Sequence, residues 1–305
     1  MERHLIGQTC ALLAALTWAF ALVLFKRSGE RISPVALNLF KNTVGLVLLA
    51  VTLLLMGDGF GLLGTYPRED IYILLISGFL GIALADTVFF HALNLLGVGL
   101  ISIMDCLYSP LVVLCSFLML QEKLTVYHYV GGALVLGGLL VSSQHPPPAG
   151  RTRGQIVLGM SCAVAGLVMM AVGIVMAKPV LEIMDFPLFW ATTLRLLAGT
   201  AALALLALGS PRRRELWSVF RPSAVWWYCV PGSVLGAYLA MVTWVAGFKY
   251  TYASVAAILN QTNALFAVVL ATLILKEAFT RRKFVALVLA FCGVVLVTLS
   301  PVLSR

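Results

Sequence analysis

Apolar residues run along this chain in blocks of about twenty, separated by short polar or basic stretches. Ten such blocks lie near residues 5–26, 33–56, 71–95, 98–120, 127–143, 155–178, 187–209, 225–248, 252–275 and 284–303. About 20 apolar residues carry a helix across the hydrocarbon core of a bilayer. None of the blocks shows the alternation of a barrel strand. Lipid also offers no partner to backbone polar groups, so each block must pair its own as a helix. The pattern predicts an all-α polytopic membrane protein with ten transmembrane helices, the block at 127–143 being the shortest.

The blocks repeat. Moving 155 positions along the chain takes Leu80-Gly81 to Leu235-Gly236, Glu122 to Glu277, Thr125 to Thr280 and Gly138 to Gly293. Further upstream, an offset of 152 takes Lys26 to Lys178, and one of 153 takes Pro34 to Pro187. Between the halves, Gln144-His145-Pro146-Pro147-Pro148-Ala149-Gly150 cannot continue a helix and reads as an extended linker. The expected division is residues 1–143 as a first five-helix repeat, 144–153 as the linker and 154–305 as a second five-helix repeat. Five crossings is an odd number, so the second repeat enters the membrane from the opposite side. That makes two inverted repeats, with both termini on one side.

Composition agrees with the bilayer: 61% of residues are hydrophobic and 11% charged, against about 25% charged in soluble domains. The net charge of +9 is carried largely by block ends, as in Arg212-Arg213-Arg214 and Arg281-Arg282-Lys283. Such clusters meet lipid headgroups and set topology, and they do not suggest nucleic acid. The side that carries more of them would be cytoplasmic, which favours termini outside. The first block ends in Lys26-Arg27 without a small-residue cleavage site, so it reads as a membrane helix and not as a signal peptide. The six cysteines have no CxxC spacing, and there is no HExxH or GxxxxGK[ST]. No metal, redox pair, cofactor or ATP site is expected. Gly59-Phe60-Gly61-Leu62-Leu63-Gly64 fits GxGxxG but follows no strand, and reads as a loop.

Leu120-Gln121-Glu122-Lys123-Leu124-Thr125, followed by Gly131, Gly132, Gly137 and Gly138, recurs as Leu275-Lys276-Glu277-Ala278-Phe279-Thr280 followed by Gly293. With Thr17-Trp18 through Lys26 in the first block, this resembles the EamA-type branch of the drug/metabolite transporter superfamily across essentially the whole chain. Pro110 has only Leu265 as its counterpart. The resemblance implies secondary transport of a small metabolite, with export of amino acids or related solutes and a possible proton as coupling ion. It also implies the plasma membrane of a bacterium or archaeon. The family's termini are cytoplasmic, opposite to the basic-residue count, so orientation stays open.

An ionisable group inside a membrane helix costs about 2.5–3.5 kcal/mol on insertion scales and marks function by default. Lys41, Asp86, His91, Asp105 and Arg195 lie well inside their blocks. At helical spacing, Asn38, Lys41, Asn42 and Gly45 share one face. Ser102, Asp105, Ser109 and Ser116 share another, and Thr87, His91 and Asn94 a third, while Asn260 and Asn263 are three apart. These stripes either line one wet cavity or hydrogen-bond between helices as packing. As a cavity, Asp86 and Asp105 would take an amino group or a coupling proton, and Lys41 and Arg195 a carboxylate. Trp18, Tyr108 and Trp244 would wall it. Asp86 maps to Met241 and Asp105 to Asn260, so the deep acids belong to the first half alone. Glu122 and Glu277, at block ends, suit a neighbouring helix N-terminus, and Pro110 a kink or gate in the fourth helix. Two other readings stay open: a site of Lys41, Arg195 and Lys249 for an anionic solute such as a nucleotide-sugar, and a membrane enzyme or lipid-handling protein using His91 with the two acids.

Overall fold

In a computed structural model, the described residues are 2–29, 32–57, 64–142, 152–182, 186–274 and 281–303. They are helical with no strand among them. The helices are α1 (Glu2–Gly29), α2 (Pro34–Met56), α3 (Arg68–Gly78), α4 (Ala85–Asp105), α5 (Tyr108–Leu120), α6 (Val126–Ser142) and α7 (Arg153–Glu182). They continue as α8 (Leu188–Gly209), α9 (Arg213–Ser218), α10 (Trp226–Ser233), α11 (Met241–Tyr250), α12 (Ala253–Asn260), α13 (Asn263–Ile274) and α14 (Arg281–Leu303). Two π-helical segments, π1 (Phe79–Leu84) and π2 (Val234–Ala240), join α3 to α4 and α10 to α11. Most of the expected linker, and Glu277 with it, lies outside the described residues.

Among the described residues, six helical stretches are long and apolar enough to cross a membrane: Glu2–Phe25, Val35–Met56, Arg68–Leu93, Arg153–Glu182, Leu188–Gly209 and Trp226–Tyr250. They correspond to the first three blocks of each half. The fourth and ninth blocks are interrupted. Backbone bonds from Leu107 to the Met104 carbonyl (2.9 Å) and from Thr262 to the Leu259 carbonyl (3.1 Å) close tight turns there. These turns, at residues 106–107 and 261–262, sit 155 positions apart, and so do the starts of π1 and π2 at Phe79 and Val234. The repeat is therefore a repeat of irregularities as well as of helices.

The break expected between residues 95 and 98 is not a gap in helical bonding, because α4 is continuous to Asp105. It is a bend. Asp86 and Asp105 line one cavity, whereas a straight helix of nineteen steps would hold them about 28 Å apart. Pro110 removes no interior helical bond. It is the third residue of α5, within the first turn where the N–H has no partner to lose. The chain turns just before it, and the matching turn at 261–262 forms with Leu265 in place of proline.

Contacts between the halves hold the bundle together. α6 lies along α14, α4 along α7, and α1 runs past α10, π2, α11, α12 and α13. At the α6–α14 crossing, a Cβ on Gly131 would lie 2.7 Å from the Gly293 carbonyl, and one on Gly293 2.5 Å from the Gly131 carbonyl. Both contacts are with backbone, so a helix would have to shift, and Gly293→Ala is expected to cost about 1–3 kcal/mol through overpacking. A lower midpoint in detergent thermal unfolding checks this, and an unchanged midpoint contradicts it.

Candidate functional site

A cavity of about 250 Å³ opens within the bundle, lined from both halves. The sequence irregularities build it. Gly81 and Ile82 come from π1, Gly236 and Ala240 from π2, and Asp105 and Asn260 from the helix ends beside the two turns. A wide π turn changes the phase at which the following helix leaves, which re-aims its side chains, and such turns gather at functional sites. Broken helices likewise expose polar backbone only where it lines a cavity.

Lys41, Asp86, Asp105, Arg195, Asn260 and Asn263 all line this space, with Trp18, Tyr108 and Trp244. Its ionisable side chains are thus two carboxylates, two cations and the Tyr108 phenol. Asp86 accepts a hydrogen bond from Asn38 Nδ2 (3.2 Å), and Asn38 Oδ1 accepts one from Asn42 Nδ2 (3.3 Å). Asn42 Oδ1 accepts from Lys41 Nζ (2.9 Å), and that ammonium also stands 5.6 Å from the centre of the Trp18 ring. Arg195 is buried on α8. Its Nη1 donates to Ser77 Oγ and to the Gly173 carbonyl, Ser77 Oγ donates to that carbonyl too, and the guanidinium covers the Trp244 ring at 5.5 Å. Gly78 lets the chain pass so near the Arg195 backbone that no Cβ would fit.

Asp105 is held differently. Its backbone carbonyl accepts from Gln261 Nε2 at 2.8 Å, yet among the described residues its carboxylate has no hydrogen-bond partner. Three buried polar atoms around the same cavity are also without partners: the Tyr108 hydroxyl, Asn260 Nδ2 and Arg195 Nε. Buried polar groups are nearly always satisfied, so these atoms leave unused hydrogen-bonding capacity at this end of the cavity. Among the described residues, no three side chains of metal-ligating type converge.

Several expected site residues stand elsewhere. His91 is exposed and does not line the cavity. The reason is its face: α4 turns Ala85, Ala92 and Leu96 into the bundle, and His91 points away from that side. Asn38 is buried behind Asp86 and reaches the cavity only through it, and Ser109 is buried on α5 outside the lining. Lys249, a candidate in the anionic reading, donates to the Phe186 carbonyl at 2.8 Å and is likewise outside it. Gln261, Met170 and the glycine pair Gly81 and Gly236 line the cavity without having been singled out for it. The glycines carried a usable signal, since they are one of the repeated pairs.

Glu122 is buried at the N-terminus of α12. Its carboxylate accepts from the Ala253 N–H (2.8 Å), the Ser254 N–H (3.2 Å) and the Ser254 hydroxyl (2.9 Å). Lys178 completes the same join from the other side. Its Nζ donates to the Thr251 (2.7 Å) and Phe248 (3.1 Å) carbonyls at the end of α11 and pairs with Glu182 at 2.8 Å. An anion at a helix N-terminus and a cation at a C-terminus each satisfy orphan backbone groups and oppose the local dipole.

Comparison with known proteins places this architecture. A model of the EamA-like transporter family matches residues 5–144 and again residues 157–299. The chain is 26% identical over 142 residues to a protein of Bacillus subtilis (strain 168) described as "Uncharacterized transporter YoaV". That alignment covers 47% of this chain and 48% of the relative, so it spans about half the length of each. A solved crystal structure shares the fold with a TM-score of 0.79 at 21% identity, with 96% of each chain covered. Since the family model accounts for both halves, the chain belongs to the EamA-like transporter family.

Proposed function

We propose that this protein is a secondary transporter that moves a small amphipathic zwitterion of the amino-acid type by alternating access. It works as ten helices in two inverted five-helix repeats within a bacterial or archaeal plasma membrane, exporting its solute with protons as coupling ion. The observation that carries this reading is the charge balance of the cavity. Asp86 and Asp105 face Lys41 and Arg195 across a space with Trp18 and Trp244 on its walls. A solute with one amino group, one carboxylate and an apolar side chain satisfies such a site without leaving an unpaired charge.

Asp105, whose carboxylate has no hydrogen-bond partner among the described residues, takes the amino group. Lys41 and the unsatisfied edge of Arg195 take the carboxylate, while Tyr108 and Asn260 complete the polar end. Size supports the same class. Sites for drug-sized ligands run to roughly 300–1,000 Å³, and about 250 Å³ suits a smaller metabolite better than a nucleotide-sugar.

Reconstitution into liposomes tests the reading. Flux of neutral amino acids is expected to saturate with concentration and to respond to an imposed proton gradient. Flux of a sugar phosphate alone, or flux no greater than that of protein-free liposomes, would overturn it. Substituting Arg195→Lys keeps the charge but loses the fork that bonds Ser77 and Gly173. The solute's Kd is expected to rise by about tenfold, as isothermal binding would show.

A further inference from the structure

We propose that the Lys41–Asn42–Asn38–Asp86 string links a carboxylate arriving at Lys41 to uptake of a proton at Asp86, with Asn38 and Asn42 as the positioning residues that make the link. The inference rests on the reading of this cavity as a transport site.

The string has one direction. Lys41 Nζ donates to Asn42 Oδ1 at 2.9 Å, Asn42 Nδ2 to Asn38 Oδ1 at 3.3 Å, and Asn38 Nδ2 to Asp86 Oδ2 at 3.2 Å. An ammonium can only donate and an ionised carboxylate can only accept. The two ends therefore fix the orientation of both amides, because turning either one would set donor against donor. Asn42 is 0% and Asn38 1% exposed, so water cannot stand in for a lost partner. Bonds to charged groups at both ends are stronger than neutral ones, and aligned bonds reinforce one another. In the empty site the string thus keeps Lys41 and Asp86 mutually neutral.

A carboxylate in the cavity competes for the cationic member of the string. Lys41 has a flexible stem, stands against the open face of Trp18 and lines the cavity, whereas the amides are walled in. As the ammonium turns to the ligand, Asn42 loses its donor and Asp86 its cation. A carboxylate in a water-poor site without its cation takes up a proton. By linkage, carboxylate and proton then favour each other's binding to the same degree.

The other titratable groups facing this pair are few. Arg195 on α8, Asp105 at the end of α4 and Tyr108 on α5 share the cavity, and Tyr238 on π2 is engaged with Thr52 at 2.7 Å. From α7 only Met170 reaches the cavity lining. An amino group at the ionised Asp105 pairs with it without proton uptake, so the two acids respond differently and can be told apart.

The test is infrared titration of the full chain in detergent, following the protonated-carboxyl band that disappears in Asp86→Asn. In ligand-free protein the midpoint of that band is expected to rise by about one pH unit or more in Asn42→Ala and in Asn38→Ser. In the unsubstituted protein, hexanoate as the probe is expected to increase the band at fixed pH, with net proton uptake from a weakly buffered solution. Unchanged midpoints in whichever variants fold, or no hexanoate-dependent increase in the unsubstituted protein, overturn the link. Amino-acid flux with a flat infrared response would remove this proposal and leave the transport reading. A responsive band without any flux would do the reverse.

Discussion

Replacing Asp105 with Asn is expected to lower saturable amino-acid flux by about 30-fold or more while leaving the protein folded. The side chain keeps its size, and its carboxylate has no hydrogen-bond partner to lose among the described residues. The change therefore takes away charge and little else. Removing one member of a desolvated charge pair costs about 2–5 kcal/mol, and the pair here forms only when the solute's amino group arrives. The loss should fall on solute binding and flux. Amine-bearing probes should lose affinity far more than hexanoate, because the carboxylate end at Lys41 and Arg195 is untouched. Titration calorimetry with both kinds of probe checks this. Equal losses for both would mean that Asp105 does not meet the amine.

The second large effect concerns stability. Glu122→Ala leaves the Ala253 and Ser254 N–H groups and the Ser254 hydroxyl without their acceptor at a buried helix start. An unsatisfied buried donor costs about 1–3 kcal/mol, and an anion at a helix N-terminus adds up to ~2 kcal/mol in partly buried settings. A drop of about 3 kcal/mol is expected, visible as a clearly lower thermal midpoint in detergent. Solute affinity of the folded protein should be unchanged. A changed Kd with an unchanged midpoint would instead make Glu122 a solute contact.

These two residues show what the chain discloses before it is folded. The offset of 155 takes Glu122 to Glu277 and Gly138 to Gly293, and in the structure Glu122 caps a helix start while Gly138 and Gly293 lie at the α6–α14 crossing. The same offset sets Asp105 against Asn260 and Asp86 against Met241, and the cavity is lined by all four. A carboxylate in an apolar block is legible because its insertion cost demands a reason. A polar stripe is legible because helical spacing is fixed, and Asn38, Lys41 and Asn42 on one face of α2 are joined by hydrogen bonds.

Which neighbour a stripe meets is a different matter. His91 also lies inside its block, but depth does not say which face the rest of the bundle covers. Asn38 and Ser109 share helices with lining residues but are buried outside the lining. The π segments and the turns at 106–107 and 261–262 were invisible for a related reason. The apolar sequence runs on across both π segments, and the polar stretch Asn260-Gln261-Thr262-Asn263 turns with Leu265 in the place of Pro110 and no proline to mark it. Local composition permits a helix there, and packing decides its phase.

Counterflow in proteoliposomes addresses the central claim most directly. Vesicles loaded with unlabelled L-norleucine are placed in trace labelled L-norleucine, and the label inside is followed with time. The unsubstituted protein is expected to give a transient overshoot, which requires a site that faces each side in turn, and Asp105→Asn is expected to give none. A trace no different from protein-free vesicles, or an overshoot of equal height in Asp105→Asn, would contradict the account.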